Sequence, residues 1–201
     1  MPRNRLIRAF SASVAMATVL AGSLALAACG SAAVTTAATH TRATTASATG
    51  SAVANGRANI MLYSINSDGP GFRAIIAGAV GDYGPAVTVD PDGRVDAEHG
   101  SQMKLNLTRG SFRLSIAGLD EKFVAAASHE PIYPATCSDL LSVTAAVPIV
   151  AGSGTGAYRG ISGSFFVTAT LHEVEATPCQ HANAFLWQAI IMSGPGTVSV
   201  G

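Results

Sequence analysis

The sequence predicts an all-β fold: a single antiparallel, closed β-barrel of about eight strands, preceded by a signal peptide and a disordered linker. Residues 103–107 and 112–116 each alternate apolar with polar side chains, and a short turn ending at Gly110 separates them. Such alternation around a glycine-containing turn is typical of a β-hairpin with one face in a core and the other in water. After Gly56 no segment carries a long helical stripe; the nearest, residues 119–128, is short.

The other strands are predicted from apolar segments that end at turn residues. Val87 and Val89 precede Pro91-Asp92-Gly93, and the Arg94-Val95 that follows completes a second hairpin signal. The remaining predicted strands are residues 60–65, 72–80, 141–147, 165–171 and 185–192. Closure into a barrel removes the exposed edges of such a sheet, and residues 57–201 suffice for one domain of this kind.

Residues 1–28 are built like a secretory signal. Three arginines within the first eight residues make a basic start, residues 9–28 carry no charge, and small residues crowd the last positions. The segment closes on Leu-Ala-Ala directly before Cys29, an order that resembles the lipobox of bacterial lipoproteins. The resemblance implies that Cys29 receives a diacylglyceryl group, that the signal is cut before it, and that acyl chains hold the protein on a membrane.

Two other interpretations of this segment stay open. Ala25-Leu26-Ala27 also fits an ordinary cleavage site, which would give a secreted protein without lipid. An uncleaved anchor is the third, although Ala, Ser, Thr and Gly make the segment weakly apolar for a span of about 20 residues. The favoured location is the extracytoplasmic face of the cell membrane, with Cys29 as the lipid attachment site.

Residues 29–56 form the predicted tether. From residue 30 onward alanine, threonine and serine dominate, Arg42 is the only formal charge, and no apolar stripe recurs. With so little to bury, the segment cannot offset the entropy of ordering, so we expect a flexible linker. A coil of this length has a root-mean-square span of roughly 30 Å, enough to lift a domain off a lipid surface.

Charge and composition exclude some partners. The chain has 12 basic and 12 acidic side chains, and three of the arginines lie in the signal, so the remainder is mildly acidic. Without a basic cluster the sequence has no electrostatic footprint for nucleic acid. No cofactor is predicted, and the expected partners are the membrane, through the lipid, and an apolar small ligand or an envelope component.

Cys137 and Cys179 remain once Cys29 is assigned to lipid. In a chain exported to an oxidising compartment, a lone pair of cysteines is most simply a disulfide. A metal site is the weaker alternative, because neither cysteine has a second cysteine nearby and Cys179-Gln180-His181 is too sparse for zinc.

Residues 154–164 read GTGAYRGISGS and are followed by an alternating segment. This segment resembles the GTGxYxGxxG pattern of allene-oxide-cyclase-like and dirigent-like barrels, in particular a set of secreted actinobacterial proteins in that group. The resemblance covers residues 71–198 and implies a barrel. No substrate-handling residue of the plant enzymes has a matching position here, so catalytic residues are unknown. Clustered glycines also suit a place where a strand turns sharply or passes close to another backbone.

Three polar clusters in the sequence are candidate metal or catalytic sites. In His172-Glu173-Val174-Glu175 the histidine points away from both glutamates on a strand, so a solvated strand end is favoured over a metal site. Asp90, Asp92 and Asp96 resemble a calcium loop, but Gly93 is misplaced for one, and a hairpin turn is favoured. His129-Glu130 lies in a predicted loop with no assigned partner.

Apolar side chains are predicted to line the barrel. The residues are Phe165, Val167, Leu171, Phe185, Trp187 and Ile191. In a small barrel such a face fills the core, and in a larger one it lines a ligand cavity; core filling is favoured.

Three classes of function follow: a binding lipoprotein, an interaction or structural lipoprotein with a filled barrel, and a cyclase-like or isomerase-like enzyme. The apolar inward faces argue against catalysis, so the enzyme ranks third.

Overall fold

The computed structural model describes residues 53–65, 71–97, 99–127, 133–176 and 185–201. The predicted signal, Cys29 and most of the tether lie outside these residues. The described part contains eight β-strands and one α-helix. In chain order they are β1 Gly56–Ile65, β2 Gly71–Gly78, β3 Asp82–Val89, β4 Gln102–Leu107, β5 Gly110–Ser115, α1 Ala117–Ala127, β6 Ser138–Pro148, β7 Ile161–Glu175 and β8 Phe185–Val200.

The eight strands form one antiparallel sheet, as predicted. Their spatial order is β5-β4-β3-β2-β1-β8-β7-β6. The first and last strands are therefore neighbours in the middle of the sheet, where Gly56 pairs with Val198 and Ile65 with Ala189. β1 is hydrogen-bonded on both sides, because it also pairs with β2.

The hairpin predicted from the alternating segments is confirmed. β4 and β5 pair with Met103 opposite Leu114 and Leu105 opposite Phe112. All four side chains are buried, because every second residue of an antiparallel strand faces the same side. Val89 and Val95 form the antiparallel bridge expected for the second hairpin.

The segment without a convincing helical stripe is a helix. α1 places Leu119 and Phe123 four residues apart on one face, and both side chains are buried in the core. Asp120 in the first turn suits the positive end of the helix dipole. Among the described residues no helix combines the length and apolar character needed to cross a membrane.

The sheet curls into a half-barrel. Its two outer strands, β5 and β6, are each covered by a different segment of the chain. Within the described residues, no ladder joins β5 to β6; a single bridge links Leu114 on β5 to Ile149, the residue after β6. The edge of β5 is instead covered by residues 150–157. Backbone N–H groups of this segment donate to carbonyls along β5: Val150 to Arg113 (2.8 Å), Thr155 to Ser111 (2.8 Å) and Ala157 to Arg109 (2.9 Å).

The edge of β6 is covered by α1. The helix packs on this strand, and Lys122 Nζ donates to the carbonyl of Thr144 at 2.7 Å. A lysine and a helix are two of the means by which proteins protect the edge of a sheet.

The core lies on the concave side of the sheet and includes side chains from every strand and from α1. Apolar side chains from opposite parts of the sheet meet in one cluster. Its largest fully buried members are Tyr158, Phe112, Phe165, Ile60, Leu62, Ile76, Met103, Leu105 and Leu114.

Candidate functional site

The interior was the first predicted site, and the structure fills it with side chains. Phe165 and Val167 are fully buried in the core. Leu171 is partly buried and packs against the same cluster. These three predicted lining residues therefore face inward, but they contribute to a packed core.

The face of β8 that was predicted to point into the barrel points outward instead. Trp187 is 52% exposed and Ile191 41% exposed, whereas Gln188, Ile190 and Met192 are buried. β8 is apolar on both faces, so a period of two could not show which face points inward. The side chain of Phe185 lies outside the described residues.

A buried polar network lies at the end of the sheet where the glycine-rich segment crosses β5. At its centre Asp82 is 6% exposed. Its Oδ1 atom accepts hydrogen bonds from Thr108 Oγ1 (2.5 Å), Thr108 N (3.2 Å) and Tyr83 N (2.7 Å). Its Oδ2 atom accepts from Tyr158 Oη (2.5 Å), Arg109 N (3.2 Å) and Arg109 Nε (3.4 Å).

Arg109 and Tyr158 extend this network. The guanidinium of Arg109 donates through Nη2 to the carbonyls of Val80 and Gly81. It also lies over the ring of Tyr158, 5.9 Å from the centroid. The Tyr158 ring packs edge-to-face on Phe112, with centroids 5.3 Å apart.

The environment fixes the protonation of both acidic groups. Burial alone would raise the pKa of Asp82, but hydrogen bonds from Thr108, Tyr158, Tyr83 N and Arg109 N outweigh it and hold that pKa far below the ordinary 3.8. Burial, the bond to Asp82 and the charge of Asp82 raise the pKa of Tyr158 well above its ordinary value. Asp82 is therefore ionised and Tyr158 protonated across the physiological range.

This network is built to hold three turns together. Asp82 begins β3, Arg109 lies in the β4–β5 turn, and Tyr158 ends the 3₁₀ turn of the glycine-rich segment. Each carboxylate oxygen accepts several hydrogen bonds and the tyrosine hydroxyl is a fixed donor, so the groups position backbone. This role could not be predicted from the sequence pattern, because the partners of Tyr158 lie 76 and 49 residues away along the chain.

A close backbone crossing accompanies the network. Gly156 has φ +59°, and a Cβ there would collide with the carbonyl of Arg109. Gly110, on the other strand of this crossing, is equally close: a Cβ at this position would collide with the carbonyl of Thr155. The predicted role of the clustered glycines, close passage beside another backbone, is confirmed at Gly156, and Gly110 at the start of β5 forms the other side of the crossing.

A second polar row crosses the concave side near the opposite end of the sheet. Asp139 on β6 is paired with Glu173 on β7, and Glu173 with Gln188 on β8. Asp139 and Gln188 are buried, and Gln188 Nε2 donates to Glu173 Oε2 at 3.5 Å. The expectation of an almost wholly apolar interior is wrong here. The structure brings two carboxylates side by side, and His172 follows the opposite alternation, as predicted.

The remaining sequence candidates do not converge on this row. Asp90 accepts a hydrogen bond from Arg94 N and Asp96 one from His99 N, so these carboxylates stabilise a turn, as predicted. In the part of the chain that is described, no three His, Cys, Asp or Glu side chains are grouped as a metal would require. Residues 129 and 130 lie outside that part.

The predicted disulfide is described at one end only. Cys137 is buried directly before β6, and its carbonyl accepts a hydrogen bond from Glu175 N at 2.7 Å. Cys179 lies outside the described residues. The pairing of the two cysteines stays a prediction.

The convex side of the sheet carries exposed apolar side chains. Across β3, β2 and β1, Tyr83 lies opposite Ile75 and Ile75 opposite Met61. These residues are 65%, 48% and 45% exposed. One row along, Tyr63 on β1 lies opposite Arg73 on β2 and Ile191 on β8. We call this group the outer patch: Met61, Tyr63, Arg73, Ile75, Tyr83 and Ile191.

Comparison of the chain with protein-family models, with curated proteins and with solved structures found no match. Three features of the chain's own geometry bear on its function. They are a packed interior, a network that fixes three turns, and an apolar outer patch.

Proposed function

We propose that this chain is a membrane-anchored lipoprotein of the cell envelope whose β-domain binds an envelope component through its convex face. The packed interior carries the proposal. Side chains from all eight strands and from α1 meet in one buried cluster, and a space filled by side chains is not available to a ligand. Among the three classes of function, an interaction protein with a filled barrel fits this arrangement best.

The convex face supplies what such a protein needs. The outer patch spans four neighbouring strands of one sheet. Exposed apolar side chains that are contiguous, rather than scattered, mark surfaces that contact a partner. Tyrosine and methionine are among the residues enriched at such contacts.

Closure of the half-barrel belongs to the same proposal. The bridge between Leu114 and Ile149 and the hydrogen bond from Val150 N to the Arg113 carbonyl support it. In this arrangement residues 150–157 and α1 occupy the gap between the outer strands. Strong protection of the Val150 and Thr155 amides from hydrogen exchange is expected, and rapid exchange at both would show an open gap.

Anchorage rests on the sequence. A basic start, an uncharged segment and Leu-Ala-Ala before Cys29 support lipidation at that residue. The tether then keeps the domain at the extracytoplasmic face of the membrane.

Photo-crosslinking tests the proposed face. A benzoylphenylalanine at position 75 in the full chain, expressed in a bacterial envelope, should form adducts with an envelope component. The matched control carries the same group at Ser162, which is exposed on β7 but lies away from the outer patch, and it should form few adducts. Equal adducts from both positions would contradict a specific face.

A second measurement tests the interior. We expect no saturable binding of the apolar fluorophore N-phenyl-1-naphthylamine to the folded chain. Saturable binding that persists in the double variant Ile75→Asp, Ile191→Asp would place the ligand inside and overturn the proposal.

A further inference from the structure

Charges are sorted between the two sides of the sheet. The described strands carry four carboxylates: Asp82, Asp139, Glu173 and Glu175. Asp82 and Asp139 are buried, Glu173 follows the inward alternation, and Glu175 lies past a register shift at the end of β7. Along the described strands, the convex face therefore presents no carboxylate apart from that strand end.

Cations occupy the convex face instead. Arg57 and Arg73 are exposed on β1 and β2. Lys104 on β4 lies directly opposite Arg113 on β5, although like charges in this position destabilise a sheet. Arg113 donates to the carbonyl of Pro91, which leaves its positive charge in place. Lys104 and Arg113 therefore add positive charge to this face, although Arg113 also joins β5 to the turn at Pro91.

Arg73 lies inside the outer patch. Its cross-strand neighbours are Tyr63 on β1 and Pro85 on β3, and Ile75 is two residues along the same face. Lys104 is two strands away and two residues along, about 12 Å at the usual strand spacing and rise. The convex face thus combines cations with exposed aromatic and aliphatic side chains.

We propose that the outer patch, together with Arg57 and Lys104, docks on an anionic lipid surface. A guanidinium binds phosphate oxygens through two parallel hydrogen bonds. Tyrosine is favoured at the level of lipid headgroups, where its ring is buried and its hydroxyl stays wet. Charge complementarity favours anionic lipid, because the described strands place Arg57, Arg73 and Lys104 on this face and no carboxylate apart from Glu175 at the end of β7.

The inference rests on the proposed function, since the tether and the lipid on Cys29 would hold the domain near such a surface. Tethering raises the effective concentration of a weak second contact, so modest affinity is enough for docking. The convex face of the domain would then contact the membrane.

Vesicle co-sedimentation of the chain from residue 29 onward, with Cys29→Ser to remove the lipid, tests the proposal. Binding to phosphatidylcholine vesicles that contain phosphatidylglycerol should exceed binding to pure phosphatidylcholine vesicles, and added salt should weaken it. Arg73→Glu should reduce binding at least fivefold, the factor that corresponds to about 1 kcal/mol per basic residue at an anionic surface. Ile75→Ser should also reduce it, with less dependence on salt.

Arg159→Glu is the matched control. Arg159 is exposed between the 3₁₀ turn and β7, outside the strands that carry the outer patch, and its reversal changes the net charge equally. Its binding should match the parent, and both variants should unfold at the parent's temperature. Equal loss from Arg159→Glu, equal binding to neutral vesicles, or no binding at all would overturn the inference.

The two proposals fail separately. If sedimentation shows a dimer that Arg73→Glu dissociates, a second copy covers the patch; the lipid inference is then wrong and the proposed outer binding face stands. If crosslinking from position 75 fails as well, the proposed function is also wrong.

Discussion

At the residue scale, Asp82 accepts six hydrogen bonds from four residues. A buried carboxylate is tolerated only when it is ionised among donors or loses its charge. Here donors from three separate turns bond to the Asp82 carboxylate, so the arrangement of these turns depends on its being ionised. The network is part of the scaffold that holds the convex face.

The first prediction concerns pH. Because the folded chain holds the pKa of Asp82 well below 3.8, the unfolded chain binds this proton first as pH falls. The stabilisation is fully present above about pH 5 and decreases as pH drops through 4 toward the folded pKa. Asp82→Asn should lose about 3 kcal/mol at pH 7 and show a shallower acid dependence in urea unfolding. A parallel acid dependence in the variant would mean that other carboxylates dominate.

The second prediction concerns Gly156. Its φ of +59° and its contact with the Arg109 carbonyl leave no room for a side chain. Gly156→Ala should lower the free energy of unfolding by about 2 kcal/mol or more. Gly152→Ala, which has a positive φ but open space around it, separates backbone strain from collision and should cost about 1 kcal/mol. Equal losses would show that the close crossing contributes nothing.

At the element scale, α1 belongs to the core although its residues have little amphipathic pattern. Two side chains four residues apart, Leu119 and Phe123, are enough to dock it. The surrounding sheet provides the apolar surface, so tertiary packing decides this helix rather than its own propensity.

The third prediction tests that docking. Phe123→Ala should lower the free energy of unfolding by about 3–5 kcal/mol, the range for a large buried aromatic side chain. Glu121→Ala, exposed on the same helix, should change it by less than about 0.5 kcal/mol. Chemical denaturation measures both, and a small loss from Phe123→Ala would mean that the helix is peripheral.

The same scale shows where sequence patterns are informative. β4 and β5 alternate cleanly between apolar and polar residues, so their pairing and inward faces were predictable. β8 is apolar on both faces, and the aromatic Trp187 drew the prediction to the wrong one. Only the pairing with β7 and β1, set by distant segments, fixes its orientation.

At the scale of the whole molecule, contacts distant in sequence were beyond prediction. The glycine-rich segment was recognisable, but its path along β5 depends on the curl of the sheet, which brings the end of β6 beside β5. The sorting of charges was equally hidden, because a net charge carries no information on which face each residue occupies. The sequence predicts a location in the envelope, whereas the amphipathic face appears only in the three-dimensional structure.

The fourth prediction concerns the anchor. Cys29→Ala should remove the acceptor for lipid, so the domain should appear in the medium or remain as unprocessed precursor. Fractionation and immunoblotting of parent and variant measure this. A variant that is processed and retained in membranes like the parent would exclude the lipobox interpretation.

The fifth prediction concerns Cys137 and Cys179. Intact mass under non-reducing conditions should lie two hydrogens below the reduced mass for the exported domain. Replacing both cysteines with Ser should lower stability by roughly 4 kcal/mol, because the closed loop is long. Two thiols that react with a maleimide in the native, oxidised protein would contradict the pairing.

The central position of β1 also has a mechanical consequence. The tether enters at Gly56, and from there β1 is laddered to β2 on one side and β8 on the other. When an anchored tether is pulled while the domain is held elsewhere, the force runs along β1 and loads both ladders in shear. Their hydrogen bonds would then share the load instead of opening one after another, so a strand that is bonded on both sides would resist extraction through the proposed tether.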